Sequence, residues 1–370
     1  MTTTVIRVDP RHPDPTALGT AARCLARGGL VAFPTETVYG LGAHALNVEA
    51  VTRLFAAKAR PAHDPVIVHV AALHDVAALV SWLPPVVSAL AERFWPGPLT
   101  LVLPKSTAVP SLVTAGLDAV AVRIPAHPVA RALIALAGVP VAAPSANLFS
   151  RPSPTKAAHV LEDLDGRIDI VVDGGPTWVG VESTVLDLAH GVPTVLRFGA
   201  VSLEDVRGVL PDVRAGVRHS SPSVQTQPQR APGMLAKHYS PRTPLVLYEG
   251  DSAAVLHRLT TDATVALSGG RRVGVIAANE DALDAALLGV RLLRLGPARD
   301  SSEVARRLFA AFRELDAIGV DVILVRGFPV GDALGLAVQD RLRRAAGQVV
   351  ACQPGGPHAP HLLPAQDATE

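Results

Sequence analysis

The chain has 370 residues, 49% of them hydrophobic, and 34 Lys plus Arg against 33 Asp plus Glu leave a formal net charge of +1. That length exceeds what one core ordinarily serves, so two domains are expected, and the balanced charge excludes a large phosphate-backbone footprint as the main activity. Cys24 and Cys352 are the only cysteines, which excludes a disulfide framework or a cysteine zinc site and fits a reducing compartment.

Met1 to Arg7 lacks a signal-peptide core, and the longest apolar stretch, Ala132 to Pro144, is short and interrupted by Gly138 and Pro140. A soluble, cytoplasmic protein without a membrane partner is therefore expected. From about residue 10 to 210, apolar runs alternate with amphipathic stretches, the pattern of a mixed α/β domain. Helices are predicted over Thr16–Arg27, Val48–Ala59, Val86–Phe94, Val129–Ala137 and Lys156–Leu161. Strands are predicted over Leu30–Phe33, Val66–Val70, Leu99–Leu103, Ala119–Ile124, Val139–Ala143, Ile170–Val172 and Thr184–Leu188. Residues 211–243, rich in Ser, Gln, Pro and Arg, read as a linker. A smaller α/β domain follows over 244–350, with strands at Leu245–Tyr248, Arg272–Ile276 and Val322–Val325 and helices at Ser301–Leu315 and Leu334–Ala346. A Pro-, Gly- and Ala-rich tail, 351–370, is expected to be disordered.

Polar clusters recur where these strands end. Pro34-Thr35-Glu36-Thr37-Val38-Tyr39-Gly40-Leu41-Gly42 follows the first apolar run, and its glycines are expected to let the chain turn beneath a ligand. Gly40-Leu41-Gly42-Ala43-His44-Ala45 matches a dinucleotide fingerprint, but a polar loop separates it from the strand, so the match reads as accidental. No P-loop pattern occurs, so side chains would have to hold any nucleotide phosphates. Lys58-Ala59-Arg60 supplies two cations at a helix end, in a chain whose other lysines are only Lys105, Lys156 and Lys237. Capping of the helix dipole would also explain them. Pro144-Ser145-Ala146-Asn147 offers short hydroxyl and amide groups suited to phosphate and ribose. Arg123, amid strand-type apolar residues, needs an anionic partner, either a substrate carboxylate or an internal Asp or Glu.

In this order and spacing, Pro34–Leu41, Lys58–Arg60, Pro144–Asn147 and Glu182-Ser183-Thr184-Val185 resemble the YrdC/Sua5 family of threonylcarbamoyl-AMP synthases. Ala231-Pro232-Gly233-Met234-Leu235-Ala236-Lys237-His238-Tyr239-Ser240-Pro241 resembles the linker end of the two-domain Sua5 branch. The resemblance implies an open, twisted mixed sheet with a concave active-site face, followed by a Rossmann-like C-terminal domain. It implies a nucleotidyltransferase that joins L-threonine, bicarbonate and ATP, with Mg²⁺, into threonylcarbamoyl-AMP and pyrophosphate. The product would pass to the tRNA threonylcarbamoyl transferase machinery for N6-threonylcarbamoyladenosine at tRNA position 37. By resemblance, Lys58 and Arg60 would be catalytic and, with Ala119, Ser145, Asn147, Ser153, Arg197 and the linker's Tyr239, would bind ATP. Thr35, His69, Arg123, the backbone of Ala143 and Ser183 would bind threonine, with Arg123 clamping its carboxylate. Ala119 would meet ATP through its backbone, since the family commonly has a hydroxyl residue there.

Two other readings compete. An RNA-binding or ribosome-associated YrdC-like protein would make weak RNA contact, against which the near-neutral charge and the lack of a basic aromatic patch weigh. A carbamoyl-transfer module of the hydrogenase-maturation type would carry zinc-finger and acylphosphatase-like segments, and the sequence has none.

Overall fold

Strict alternation along three neighbouring strands builds the centre of the first sheet. Val66, Val68 and Val70, then Leu99, Leu101 and Leu103, then Val120, Val122 and Ile124 all enter one apolar cluster. Because side chains on a strand alternate between faces, the residues between them face the other way. Ile67, Val102, Ala119 and Ala121 form a separate small cluster with Val185 and Ala231. The computed structural model describes residues 2–216, 229–231, 237–283 and 289–354. Linker residues 217–228 and 232–236 and the expected tail from 355 onward lie outside them. The chain divides into two units, Met1–Phe149 with Ser153–Ala236, and Ser150–Pro152 with Lys237–Glu370.

The first unit runs β1 (Thr4–Arg7), α1 (Pro15–Ala26), β2 (Val31–Pro34), β3 (Tyr39–His44), α2 (Val48–Lys58), β4 (Ile67–His69), α3 (Val86–Phe94), β5 (Leu99–Pro104) and β6 (Ala119–Arg123). It continues through α4 (Pro128–Ala137), β7 (Val141–Ala142), α5 (Ala157–Leu164), β8 (Ile170–Asp173), β9 (Thr184–Asp187), β10 (Thr194–Arg197), α6 (Leu203–Arg207) and β11 (Arg214–Ala215). Its strands form one mixed sheet in the order β1-β8-β2-β3-β7-β4-β6-β5-β9-β10-β11. β4 and β6 pair in parallel, setting His69 beside Arg123, while β5 runs antiparallel to β6 with Val102 opposite Ala121. Leu18, Leu25, Leu133 and Ile134 of α1 and α4 pack with Val31 and Phe33 in a further cluster.

The run after Pro34 corrects the expected loop. Residues 39–44 are a strand paired antiparallel with β2, so the glycines do not make a turn. A Cβ on Gly42 would stand 2.8 Å from both Phe33 Cε1 and Val141 Cγ1, so this glycine makes room for packed side chains. The fingerprint match is thus a strand interior rather than a strand-to-helix turn.

The second unit contains β12 (Leu245–Gly250), α7 (Ser252–Ser268), β13 (Val273–Ala277), β14 (Arg291–Arg294), α8 (Ser301–Ile318), β15 (Val322–Arg326), α9 (Ala333–Ala345) and β16 (Gln348–Cys352). Its sheet, ordered β14-β13-β15-β12-β16, is parallel throughout. Val255, Leu259, Ala263 and Ala266 of α7 pack on Val246, Tyr248, Val275 and Leu324. β16 extends two residues past the expected end of this domain, so the tail begins later than position 351. Among the described residues no helix is long and apolar enough to cross a membrane.

Candidate active site

Helix α2 delivers the first pair of cations. Asn47 caps its start by accepting from Ala50 N, and Ala59 ends it in the left-handed region at φ 51°, so the chain reverses and Arg60 N returns to Phe55 O. Lys58 therefore sits on the last helical turn, where a cation suits the dipole. It is 1% exposed, and its Nζ donates to Ser145 O and Asn147 O, each at 2.5 Å. The same loop is tied to β3, since Leu41 N donates to Pro144 O and Ala146 N to Tyr39 O. Lys58 and the Ser145–Asn147 segment thus meet as expected, with Asn147 Nδ2 donating to Leu148 O at 2.6 Å.

Arg60 is held by the loop that follows it. Its Nε donates to Asp64 O at 3.0 Å, an Nη donates to Pro65 O at 2.6 Å, and the same nitrogen pairs with the Asp64 carboxylate at 2.9 Å. Phe55 and Phe149 rings lie 6.0 and 5.9 Å from the guanidinium carbon. Asp64 has no exposed surface, and burial pushes its carboxyl above the usual range, opposed by Arg60 and Lys58.

A second cluster stands on the face that carries Ile67, Ala119 and Ala121. Arg123 ends β6 and is 3% exposed. Its Nε donates to Gly97 O at 3.2 Å, Nη1 to Thr37 Oγ1 at 3.0 Å and Nη2 to Glu36 Oε1 at 2.6 Å. The anionic partner is thus internal, and among the described residues three of the five N–H groups are used within the chain, leaving two, the number that a bidentate carboxylate contact takes. Glu36 completes its own bonding by accepting from Ala126 N at 3.0 Å through Oε2. Thr35 Oγ1 donates to Val38 O at 2.6 Å and meets Thr37 Oγ1 at 2.8 Å, which ties it to the same corner. His69, beside Arg123, is lowered to about 3 by burial, with the Arg123 cation adding to the effect, so it is neutral near pH 7.

Ser183 has no exposed surface and is held by Arg197, whose Nε and Nη2 donate to its carbonyl at 3.0 Å and its hydroxyl at 3.1 Å. Ser153 Oγ donates to Glu182 Oε1 at 2.5 Å, and Ala143 N is committed to Ile67 O at 2.9 Å. Ala119, at the start of β6, packs with Ala231 of the linker, which is fully buried there. Gln229 N donates to His63 O at 3.2 Å, and Arg230 lies 4.0 Å from Asp187. Tyr239 belongs to the second unit. It is 1% exposed, stacks on Phe309 with ring centroids 5.5 Å apart, meets His238 edge-on and lies under the Arg341 guanidinium.

Sequence reasoning gave no role to Glu36, Asp64, Gly97, Thr100 or Glu182. Glu36 lay inside the motif run, and Thr100 was visible as the one hydroxyl in Leu99-Thr100-Leu101-Val102-Leu103. The bonds that matter span 87 positions for Glu36 and 83 for Thr100, so adjacency along the chain gave no sign of them.

A mixed sheet bearing buried cations and hydroxyls on one face, followed by a parallel Rossmann-like unit, defines a YrdC-like α/β protein built for an anionic small molecule. A Sua5/YciO/YrdC family model, described as telomere recombination, matches residues 23–199, and the model for the threonylcarbamoyl-AMP synthase C-terminal domain matches 201–347. The threonylcarbamoyl-AMP synthase of Pyrococcus abyssi is 46% identical over 88% of this chain and 93% of its own length. That of Bacillus subtilis is 44% identical over 88% and 92% respectively. The crystal structure of P. abyssi Sua5 complexed with L-threonine superposes with a TM-score of 0.85 at 43% identity, covering 94% of this chain and 99% of that one. The chain belongs to the threonylcarbamoyl-AMP synthase family, in its two-domain Sua5 form.

Proposed function

We propose that the chain is an L-threonylcarbamoyladenylate synthase, joining L-threonine, bicarbonate and ATP into threonylcarbamoyl-AMP, pyrophosphate and water. The observation that carries this reading is the placement, in one unit, of buried Lys58 against the Ser145–Asn147 loop, with Arg60 held by Asp64, together with the Arg123–Thr37 and Arg197–Ser183 contacts. The kinship with a protein crystallised with L-threonine supports it.

In this reading Lys58, Arg60, Ser145, Asn147, Ser153 and Arg197 face ATP, with Ala119 approaching through its backbone. Thr35, His69, Arg123, Ser183 and the backbone of Ala143 face threonine. The amine and bicarbonate form a carbamate, one of whose oxygens attacks the α-phosphorus as pyrophosphate leaves. Several negative charges converge in that step, and fixed cations in a dry site lower its barrier without reorganising. Lys58 and Arg60 meet this need because the protein already holds both in place, through backbone carbonyls and Asp64. The two uncommitted N–H groups of Arg123 would take a carboxylate oxygen. Neutral His69 can accept or donate beside them.

Magnesium enters as the ion carried by the ATP phosphates, where it would share the charge of the leaving pyrophosphate. Among the described residues no group of three or more His, Cys, Asp or Glu could hold a metal ion. Gln229 to Ala231 of the linker pack on the first unit, with Ala231 beside Ala119, and exclusion of water there would protect a labile carbamate and adenylate. The product would serve the tRNA threonylcarbamoyl transferase machinery in the cytoplasm.

Purified protein given ATP, L-threonine and bicarbonate should release pyrophosphate only when all three are present. Release that persists without threonine would refute the assignment.

A further inference from the structure

Thr100 has no exposed surface, and its hydroxyl lies 2.8 Å from that of Ser183. Arg197 Nη2 donates to the same Ser183 oxygen at 3.1 Å. The protons on these three groups exceed the acceptors. Thr100 and Ser183 bring two hydroxyl protons, the bond between them uses one, and a guanidinium only donates. Among the described residues neither hydroxyl has a second acceptor, so one proton is left over in a buried place, where an unmade hydrogen bond is costly.

Register puts this surplus proton on the proposed amino-acid side. Val102 pairs with Ala121 and Ile67 with Ala121, so alternation places Thr100, Arg123 and His69 on one face of three adjacent strands. The turn leading into β5 fastens both neighbours, since Gly97 O accepts from Arg123 Nε at 3.2 Å and Pro98 O from Thr184 N at 3.0 Å. Gly97 is itself fixed, because its N–H donates to Ile124 O at 2.8 Å.

We propose that Thr100 is a positioning residue of the amino-acid subsite, donating to Ser183 Oγ so that the Ser183 proton is turned toward an acceptor oxygen of the bound amino acid. The role rests on the synthase reading above. With Arg197 and Thr100 both donating, the two acceptor positions on Ser183 Oγ are filled and its own proton has one direction left. Thr100 acts through Ser183 and touches no reacting atom itself.

The test compares Thr100→Val with Thr100→Ser in the full chain, by steady-state pyrophosphate release with threonine and ATP titrated separately. Thr100→Val should raise KM for threonine about tenfold and change KM for ATP by less than about twofold, the scale of one lost hydrogen bond. Thr100→Ser should restore threonine binding. An unchanged threonine KM in Thr100→Val would overturn the role, as would an equal rise in both KM values with a lowered melting temperature. Threonine-independent release by the unaltered protein would instead remove the synthase reading, and the positioning role with it.

Discussion

Arg123, 3% exposed, is paired with Glu36, which is equally buried, at 2.6 Å. Removing one partner of such a pair leaves the other charge stranded, which typically costs about 3–5 kcal/mol. Glu36→Ala should therefore lower the unfolding free energy by roughly that amount, read from urea denaturation. A loss below about 1 kcal/mol, the scale of an exposed pair, would mean the pair does not hold this corner together. Two of the buried histidines, His69 and His127, make a separate demand. Burial lowers His69 to about 3 and His127 to about 4, from an ordinary value of 6.5. Between those limits the unfolded chain binds the protons and the folded chain does not. Their stabilisation is thus present above about pH 6.5 and lost as pH falls toward the folded values. His127 Nδ1 also caps α4 by accepting from Val129 N, a task Asn performs well. His127→Asn should keep the cap and cut the stability lost between pH 7 and 4.5 by about 2–3 kcal/mol, at about 1.4 per pKa unit. An unchanged pH slope would show that His127 is not held neutral.

At the scale of elements, β3 is where local pattern and observed structure part. Gly40 and Gly42 weaken any strand signal, yet β2 on one side and β7 on the other complete the pairing of residues 39–44. Gly42→Ala should cost about 1–3 kcal/mol by overpacking. Gly40→Ala should cost less, because its nearest contact would be Ala143 Cβ at 3.3 Å against 2.8 Å at Gly42. Equal effects of the two changes, measured by thermal unfolding, would remove the packing explanation. The central strands were legible for the opposite reason, since Val66–Val70, Leu99–Leu103 and Ala119–Ile124 alternate or run apolar without interruption. That alternation also separates the core face from the face bearing Arg123 and His69. Helix α7 escaped notice because threonines and alanines dilute its buried stripe of Val255, Leu259, Ala263 and Ala266. β1 and β16 are short edge strands, β1 with no buried residue and β16 half-exposed and running into a Pro/Gly-rich stretch. At the site, Lys58, Arg60 and Ser145–Asn147 were readable as motifs. The Glu36 partner of Arg123 was not, because that pair joins residues 87 positions apart, and Asp64, four residues after Arg60, was local but carried no motif.

At the scale of the whole molecule, family membership and fold agree with a first unit that fixes a set of buried charges on its sheet face and loops. Lys58 and Arg60 are held by carbonyls and one carboxylate, Arg123 by Glu36, and Ser183 by Arg197 and Thr100. Preorganisation of this kind serves a reaction whose difficulty is charge accumulation rather than nucleophile strength. It also accounts for a site with no Ser-His-Asp or Cys-His arrangement in the assigned set, since in the proposed reaction the attacking oxygen belongs to the carbamate. The most direct test follows the carbon atom. Protein supplied with ATP, L-threonine and ¹³C-bicarbonate should yield an adenylate, resolved by mass spectrometry, that contains threonine and carries the label. Formation of unlabelled threonyl-AMP, or of no threonine-containing adenylate at all, would contradict the assigned chemistry.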